Sequence, residues 1–234
     1  TGAVASGKST FGKTFLCEYP YQGSIRFAGR ELNEMGNSVL TGTIGYLGHD
    51  PELFDDSIKN NILMGENEDT ETYLKAVCFD REVAEMEQGP DPVVGSGGVR
   101  LSGGQAKRLA LARTLCHKRP VLILDDPFSA LDRNTEQEVY TNLKAMTSDS
   151  IVILLSHRLY LFPEMDQVIW MEHGHAAVGT HEEIMEKYPE YARLYEEQTK
   201  GSTAEKVNAG KCAETEQGRK ERGRAECIAG RAAN

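Results

Sequence analysis

The chain opens on Gly2-Ala3-Val4-Ala5-Ser6-Gly7-Lys8-Ser9, which fits the pattern G-x-x-x-x-G-K-[ST]. No other stretch constrains the fold as tightly. The glycines let the backbone curl so that successive N–H groups point inward at an anion. A helix beginning after Gly7 aims its unpaired N–H groups and the positive end of its dipole at the same place. A nucleoside triphosphate with Mg²⁺ is the ligand that suits such a loop. Lys8 then reaches the β- and γ-phosphates, and Ser9 offers its hydroxyl to the cation. Gly2, Ala3, Val4, Ala5, Ser6, Gly7, Lys8, Ser9 and Thr10 are the expected binding loop.

Such a site also needs a carboxylate held on a strand end. Val121-Leu122-Ile123-Leu124-Asp125 supplies it: four apolar residues, then an acid at the C-terminal edge, where open α/β sheets place ligands. Asp125 is expected to hold Mg²⁺ through water, and Asp126 to face the γ-phosphate. A second wholly apolar run, 151–155, also has strand length. These runs alternate with helical patterns at 104–117 and 134–146, which predicts an α/β fold with a mainly parallel sheet. Short strands are expected at 24–28 and 43–47. Between 51 and 100 the pattern is helical, with helices at 57–63, 70–78 and 81–87. A strand pair around Gly174 and helices at 180–187 and 189–198 close the folded part.

Composition sets limits on partners. Lys and Arg number 26 and Asp and Glu 36, a net charge of −10, which disfavours a nucleic-acid binder. From 200 to 234 there are eight basic and five acidic residues, no aromatic, and only Val207 and Ile228 as branched apolar residues. Residues 199–234 are therefore expected to be a disordered tail. Five widely spaced cysteines fit reduced thiols better than a disulfide framework or a zinc site. No apolar run approaches the roughly 18–20 residues that span a bilayer.

Leu101-Ser102-Gly103-Gly104-Gln105 stands 20 residues before Val121. Physically it is a second glycine-rich helix start able to meet phosphate. At this distance from the Asp125 strand it closely resembles the signature of the ABC ATPases. Further segments are similar to that family: Ser129–Asp132 resembles the D-loop, and His157 after 151–155 resembles the switch histidine. Residues 53–62 resemble the exporter segment that meets the coupling helix of a membrane domain, and 95–98 resemble the exporters' X-loop.

The resemblance covers 1–198. It implies a P-loop NTPase fold in which 1–50 and 101–198 form a RecA-like core and 51–100 an inserted helical subdomain. It implies ATP and Mg²⁺ as cofactors and a head-to-tail dimer with a second ABC ATPase domain. One domain's P-loop and the other's signature then clamp the same ATP, so Ser102, Gly103, Gly104 and Gln105 would serve the partner's nucleotide. It also implies that the family's first antiparallel strands, its adenine-stacking aromatic and a fused transmembrane domain precede Thr1. The activity implied is ATP hydrolysis powering export at the cytoplasmic face of a membrane.

Two positions depart from the family's pattern. The Q-loop glutamine, a hard ligand suited to Mg²⁺, is replaced by His49, whose imidazole suits it poorly. The catalytic glutamate is replaced by Asp126, whose carboxylate would sit about 1.5 Å further from the attacking water. His49, Asp126 and His157 are the expected catalytic residues, and Ser9, Asp125 and His49 the expected metal ligands. With an intact signature, the pattern is that of the slow half of an asymmetric exporter. An ATP-gated binding module with little turnover and a soluble, non-transport ABC ATPase are the alternatives.

Overall fold

The computed structural model describes residues 1–2, 5–86, 91–95, 98–172 and 174–200. Ala3 and Val4 of the loop, Ser96 and Gly97, and the expected tail from 201 onward lie outside them. Ala3–His157 form one compact unit. Thr1–Gly2 with the described residues from Arg158 form another.

The first of these units begins with helix α1 (Lys8–Thr14). Two short strands, β1 (Arg26–Phe27) and β2 (Arg30–Glu31), pair antiparallel around Ala28-Gly29, both at positive φ. Helix α2 (Asn37–Thr43) leads into strand β3 (Ile44–Leu47). Three short helices follow: α3 (Ile58–Leu63), α4 (Thr70–Ala76) and α5 (Asp80–Ala84). Helix α4 stops before its expected end because Cys78 turns left-handed, at φ 53°. Then come α6 (Gly103–Cys116), β4 (Val121–Asp125), α7 (Arg133–Met146) and β5 (Ile151–Leu155).

Strands β3, β4 and β5 form a parallel sheet in that order, with Leu47 beside Leu124 and Asp125 beside Leu155. Parallel pairing brings every strand's C-terminal end to one edge. Because strand side chains alternate, Ile123 and Leu155 face a core shared with Leu32, Leu40, Ile44 and Val121. Phe11 and Phe15 of α1 pack against that core. Gly12 makes the approach possible, since a Cβ there would stand 2.7 Å from Leu155 Cδ1. Helices α3 and α4 lie against α6.

In the second unit β6 (Val168–Glu172) and β7 (His175–Gly179) pair antiparallel. Met171 N–H also donates to the Thr1 carbonyl at 2.9 Å. Helix α8 (His181–Lys187), capped by Thr180, precedes α9 (189–200), which takes in Thr199 and Lys200. Trp170 meets Tyr191 edge to face at 5.3 Å, and Tyr191 shares a 2.8 Å hydrogen bond with His181 Nδ1. Among the described residues no helix is long and apolar enough to cross a membrane.

Candidate nucleotide site and signature scaffold

The loop before α1 reaches its helix through two left-handed residues, Ala5 at φ 61° and Gly7 at φ 90°. The second costs nothing in a glycine; the first carries strain of about 1 kcal/mol. Gly7 is also the N-cap of α1, and its carbonyl accepts from Phe11 N–H at 2.8 Å. Lys8, first in the helix, is buried, and its Nζ lies 3.4 Å from Ser6 Oγ. Burial lowers its pKa, while Asp125 and then Asp126 pull it back up. A buried ammonium beside two carboxylates is a ready partner for an incoming polyanion. Ser9 and Thr10 are exposed on the same first turn.

Asp125 ends the fully buried strand β4. Its Oδ2 accepts a long 3.4 Å hydrogen bond from Tyr46 Oη. Burial, then the charge of Asp125, pushes the Tyr46 phenol up to about 12, so it stays a neutral donor. Asp126 leaves the strand at φ 50°, a conformation that Asp tolerates better than most residues. Its N–H donates to Leu155 O at 2.8 Å, which holds this turn against the end of β5. His49, two residues past β3, places Nδ1 3.9 Å from Asp126 Oδ2. His157, just past β5, has its pKa lowered first by desolvation and then by Lys8, which leaves the imidazole neutral at pH 7.

Lys8, Asp125, Asp126 and His157 thus share one electrostatic neighbourhood at the C-terminal edge of the sheet, and His49 joins it through Asp126. Ser9 Oγ and the Asp125 carboxylate are hard oxygen donors of the kind Mg²⁺ prefers, and His49 is not. Among the described residues no three His, Cys, Asp or Glu side chains converge as a metal cage.

Ser102, Gly103, Gly104 and Gln105 are gathered separately, at the start of α6. Ser102 caps the helix reciprocally: its Oγ accepts from Gln105 N–H at 3.2 Å, and Gln105 Oε1 accepts from Ser102 N–H at 2.9 Å. A Cβ on Gly104 would stand 3.0 Å from the carbonyl oxygen of Ala130, so this helix start is pressed against the loop 129–132. Lys107 Nζ donates to Ser129 Oγ at 2.5 Å and ties the same two segments. Asp132 of that loop caps α7, accepting from the backbone N–H groups of Asn134 and Thr135.

Residues 52–62 are fastened to α6 largely through Asn61 and Arg113. Asn61 is fully buried; its Oδ1 accepts from Phe54 N–H at 2.9 Å and from Arg113 at 2.7 Å, and its Nδ2 donates to Phe54 O at 3.0 Å. Arg113 also stacks over the exposed Phe54 ring.

Tyr46, Lys107 and Glu82 lie outside every motif. Tyr46 was findable by parity, because alternate residues of β3 share a face and Tyr46 lies one step before the strand's end. Ser129 falls in the segment that resembles the D-loop, but its bond to Lys107, which no motif includes, leaves no local pattern.

The profile of the family described as ABC transporter matches residues 1–129. The probable multidrug resistance ABC transporter ATP-binding/permease protein YheI of Bacillus subtilis is 35% identical over 215 residues, 89% of this chain and 37% of that protein. The ATP-dependent lipid A-core flippase of Idiomarina loihiensis is 34% identical over 208 residues, 86% of this chain and 36% of that protein. A solved bacterial Atm1-family ABC exporter with ATP bound superposes with a TM-score of 0.77 at 30% identity, covering 85% of this chain and 36% of that one. The chain therefore spans little more than a third of the length of these relatives.

Proposed function

The chain belongs to the ABC transporter family, and on that premise we propose that it is the ATP-binding and ATP-hydrolysing domain of an exporter, the slower half of an asymmetric pair. The carrying observation is the convergence of Lys8, Asp125, Asp126 and His157 at one sheet edge, with an intact signature built elsewhere in the same unit. The curated relatives named above are ATP-binding/permease or flippase proteins, which supports a fused membrane domain and a position at the cytoplasmic face.

In this reading the backbone of residues 2–9 and the Lys8 ammonium bind the phosphates, and Ser9 and Asp125 hold Mg²⁺. The cation, when bound, neutralises phosphate charge. Neutral His157 donates a hydrogen bond to the γ-phosphate. Asp126 orients water, with a reach one methylene shorter than glutamate's. Ser102 and Gly104 serve the nucleotide held by a second ABC ATPase domain. His49 and Asp126 both weaken this chain's own site and leave the signature untouched, which is why the slow half is assigned here.

The test is single-turnover hydrolysis by the assembled protein with Asp126→Glu. Misplacement by about 1 Å is worth about 100-fold, so a gain of tenfold or more is expected. An unchanged rate would refute Asp126 as the limiting group. Mg²⁺-dependent phosphate release near zero in both proteins would favour an ATP-gated binding module.

A further inference from the structure

Glu82 of α5 holds two side chains of the signature helix. Its Oε2 accepts from Gln105 Nε2 at 2.8 Å, and its Oε1 pairs with Arg108 Nη2 at 2.6 Å. Arg108 is buried, donates through Nη1 to the Cys78 carbonyl at 2.6 Å and stacks over the Phe79 ring at 4.9 Å. The guanidinium is thus fixed by α5 and the turn before it, and it fixes the carboxylate in turn.

The consequence runs through Gln105. Its amide has one donor end and one acceptor end, and the donor end is committed to Glu82. The acceptor end then faces Ser102 N–H, closing the capping box. Ser102 N–H by itself disfavours the flipped amide, in which two N–H donors would oppose each other, and Glu82 adds a second, charge-assisted selection of the same orientation. A charge-assisted bond to a carboxylate is about twice as strong as a neutral one, which makes it a suitable latch.

We propose that Glu82 is a positioning residue for the signature loop, holding Ser102 and Gly104 in shape through Gln105. This rests on the proposed role of that loop toward a partner's ATP. It assigns no contact with nucleotide to Glu82 itself. It links the helical segment carrying α5 to hydrolysis in the partner's site.

The experiment uses the full-length protein with its partner domain and compares Glu82→Ala with Glu82→Gln. Three quantities are read: ATP turnover, ADP affinity, and hydrogen exchange at Ser102–Gln105. ADP lacks the γ-phosphate that the signature would meet, so its affinity reports the P-loop alone. Glu82→Ala is expected to lower turnover about tenfold with ADP affinity unchanged, and to raise exchange at Ser102 and Gln105 but not in β4. Glu82→Gln keeps a carbonyl acceptor for Gln105 and is expected within about threefold of wild type.

Wild-type turnover and exchange in Glu82→Ala would overturn the proposal. So would a parallel loss of ADP affinity, which marks general unfolding. Glu82→Gln as slow as Glu82→Ala would move the role to the Arg108 pair and overturn the Gln105 relay. A wild type without turnover would refute the ATPase function instead. The exchange measurement then decides alone, and unchanged protection at Ser102–Gln105 overturns the proposal.

Discussion

The P-loop side and the signature side of the Ala3–His157 unit are built on opposite terms. Around Lys8 and Asp125 three side-chain contacts are long: 3.4 Å from Lys8 to Ser6, 3.4 Å from Tyr46 to Asp125, 3.9 Å from His49 to Asp126. The backbone there is held left-handed at Ala5 and Asp126. Around α6 the contacts are short: 2.8 Å and 2.6 Å to Glu82, and 2.5 Å from Lys107 to Ser129. The first region gathers a buried ammonium and two carboxylates at one sheet edge, a ready place for an incoming polyanion. The second ties the start of α6 by short side-chain bonds and works as a scaffold, although Arg108 Nε is buried there without a partner. A substitution on the first side should therefore disturb chemistry first, and one on the second should disturb stability or placement.

The sharpest way to break that contrast is Lys8→Ala. Loss of a buried donor aimed at developing charge costs about 100- to 1,000-fold in turnover. Thermal stability should hold or rise, because the ammonium is buried at a desolvation cost that its carboxylate neighbours only partly offset. A fall in melting temperature with turnover intact would show that Lys8 belongs to the scaffold.

Asn61→Ala tests the other side. It strands Phe54 N–H and removes one of Arg113's acceptors in a fully buried place. A loss of about 3 kcal/mol is expected in chemical denaturation, with ADP affinity of the folded fraction unchanged. A loss under about 0.5 kcal/mol would show that the segment 52–57 is held by other means.

Both tests bear on how much could be read before the structure. The runs 121–125 and 151–155 were legible because a buried parallel strand needs continuous apolar residues, and Lys8, Asp125 and His157 because they stand at fixed steps from such strands. Helix α2 was not legible. Asn37-Ser38-Val39-Leu40-Thr41-Gly42-Thr43 is poor in helix formers, and it folds because Leu40 joins the core with Leu32 and Ile44. Tyr46 and Asp125 are 79 residues apart, and Gln105 and Glu82 are 23. Bonds across such spans are set by packing and leave no periodic trace.

Gly104→Ala sharpens the comparison where the scaffold becomes functional. The new Cβ would press on the Ala130 carbonyl at 3.0 Å, and that backbone must give by a few tenths of an ångström. About a tenfold loss of turnover in the proposed dimer is expected, with ADP affinity retained. Wild-type turnover would show that the approach of α6 to the loop 129–132 tolerates slack.

The smallest effect is expected at Asp132, where the scaffold meets solvent. Its pKa is lowered first by the Thr135 hydroxyl and next by the Thr135 backbone N–H. A carboxylate with a depressed folded pKa contributes stability that is fully present above its unfolded value of about 3.9. That contribution is lost as pH falls through the folded value. Asp132→Ala should therefore cost α7 about 1 kcal/mol at pH 7, read as faster hydrogen exchange at Asn134 and Thr135, and less at pH 3. Asp132→Asn keeps the capping oxygen and should cost only a few tenths of a kcal/mol, with little change between the two pH values. An equal cost of Asp132→Ala at both pH values would mean that the cap acts through shape alone, and the charge at this loop would then be free for a role across the proposed dimer.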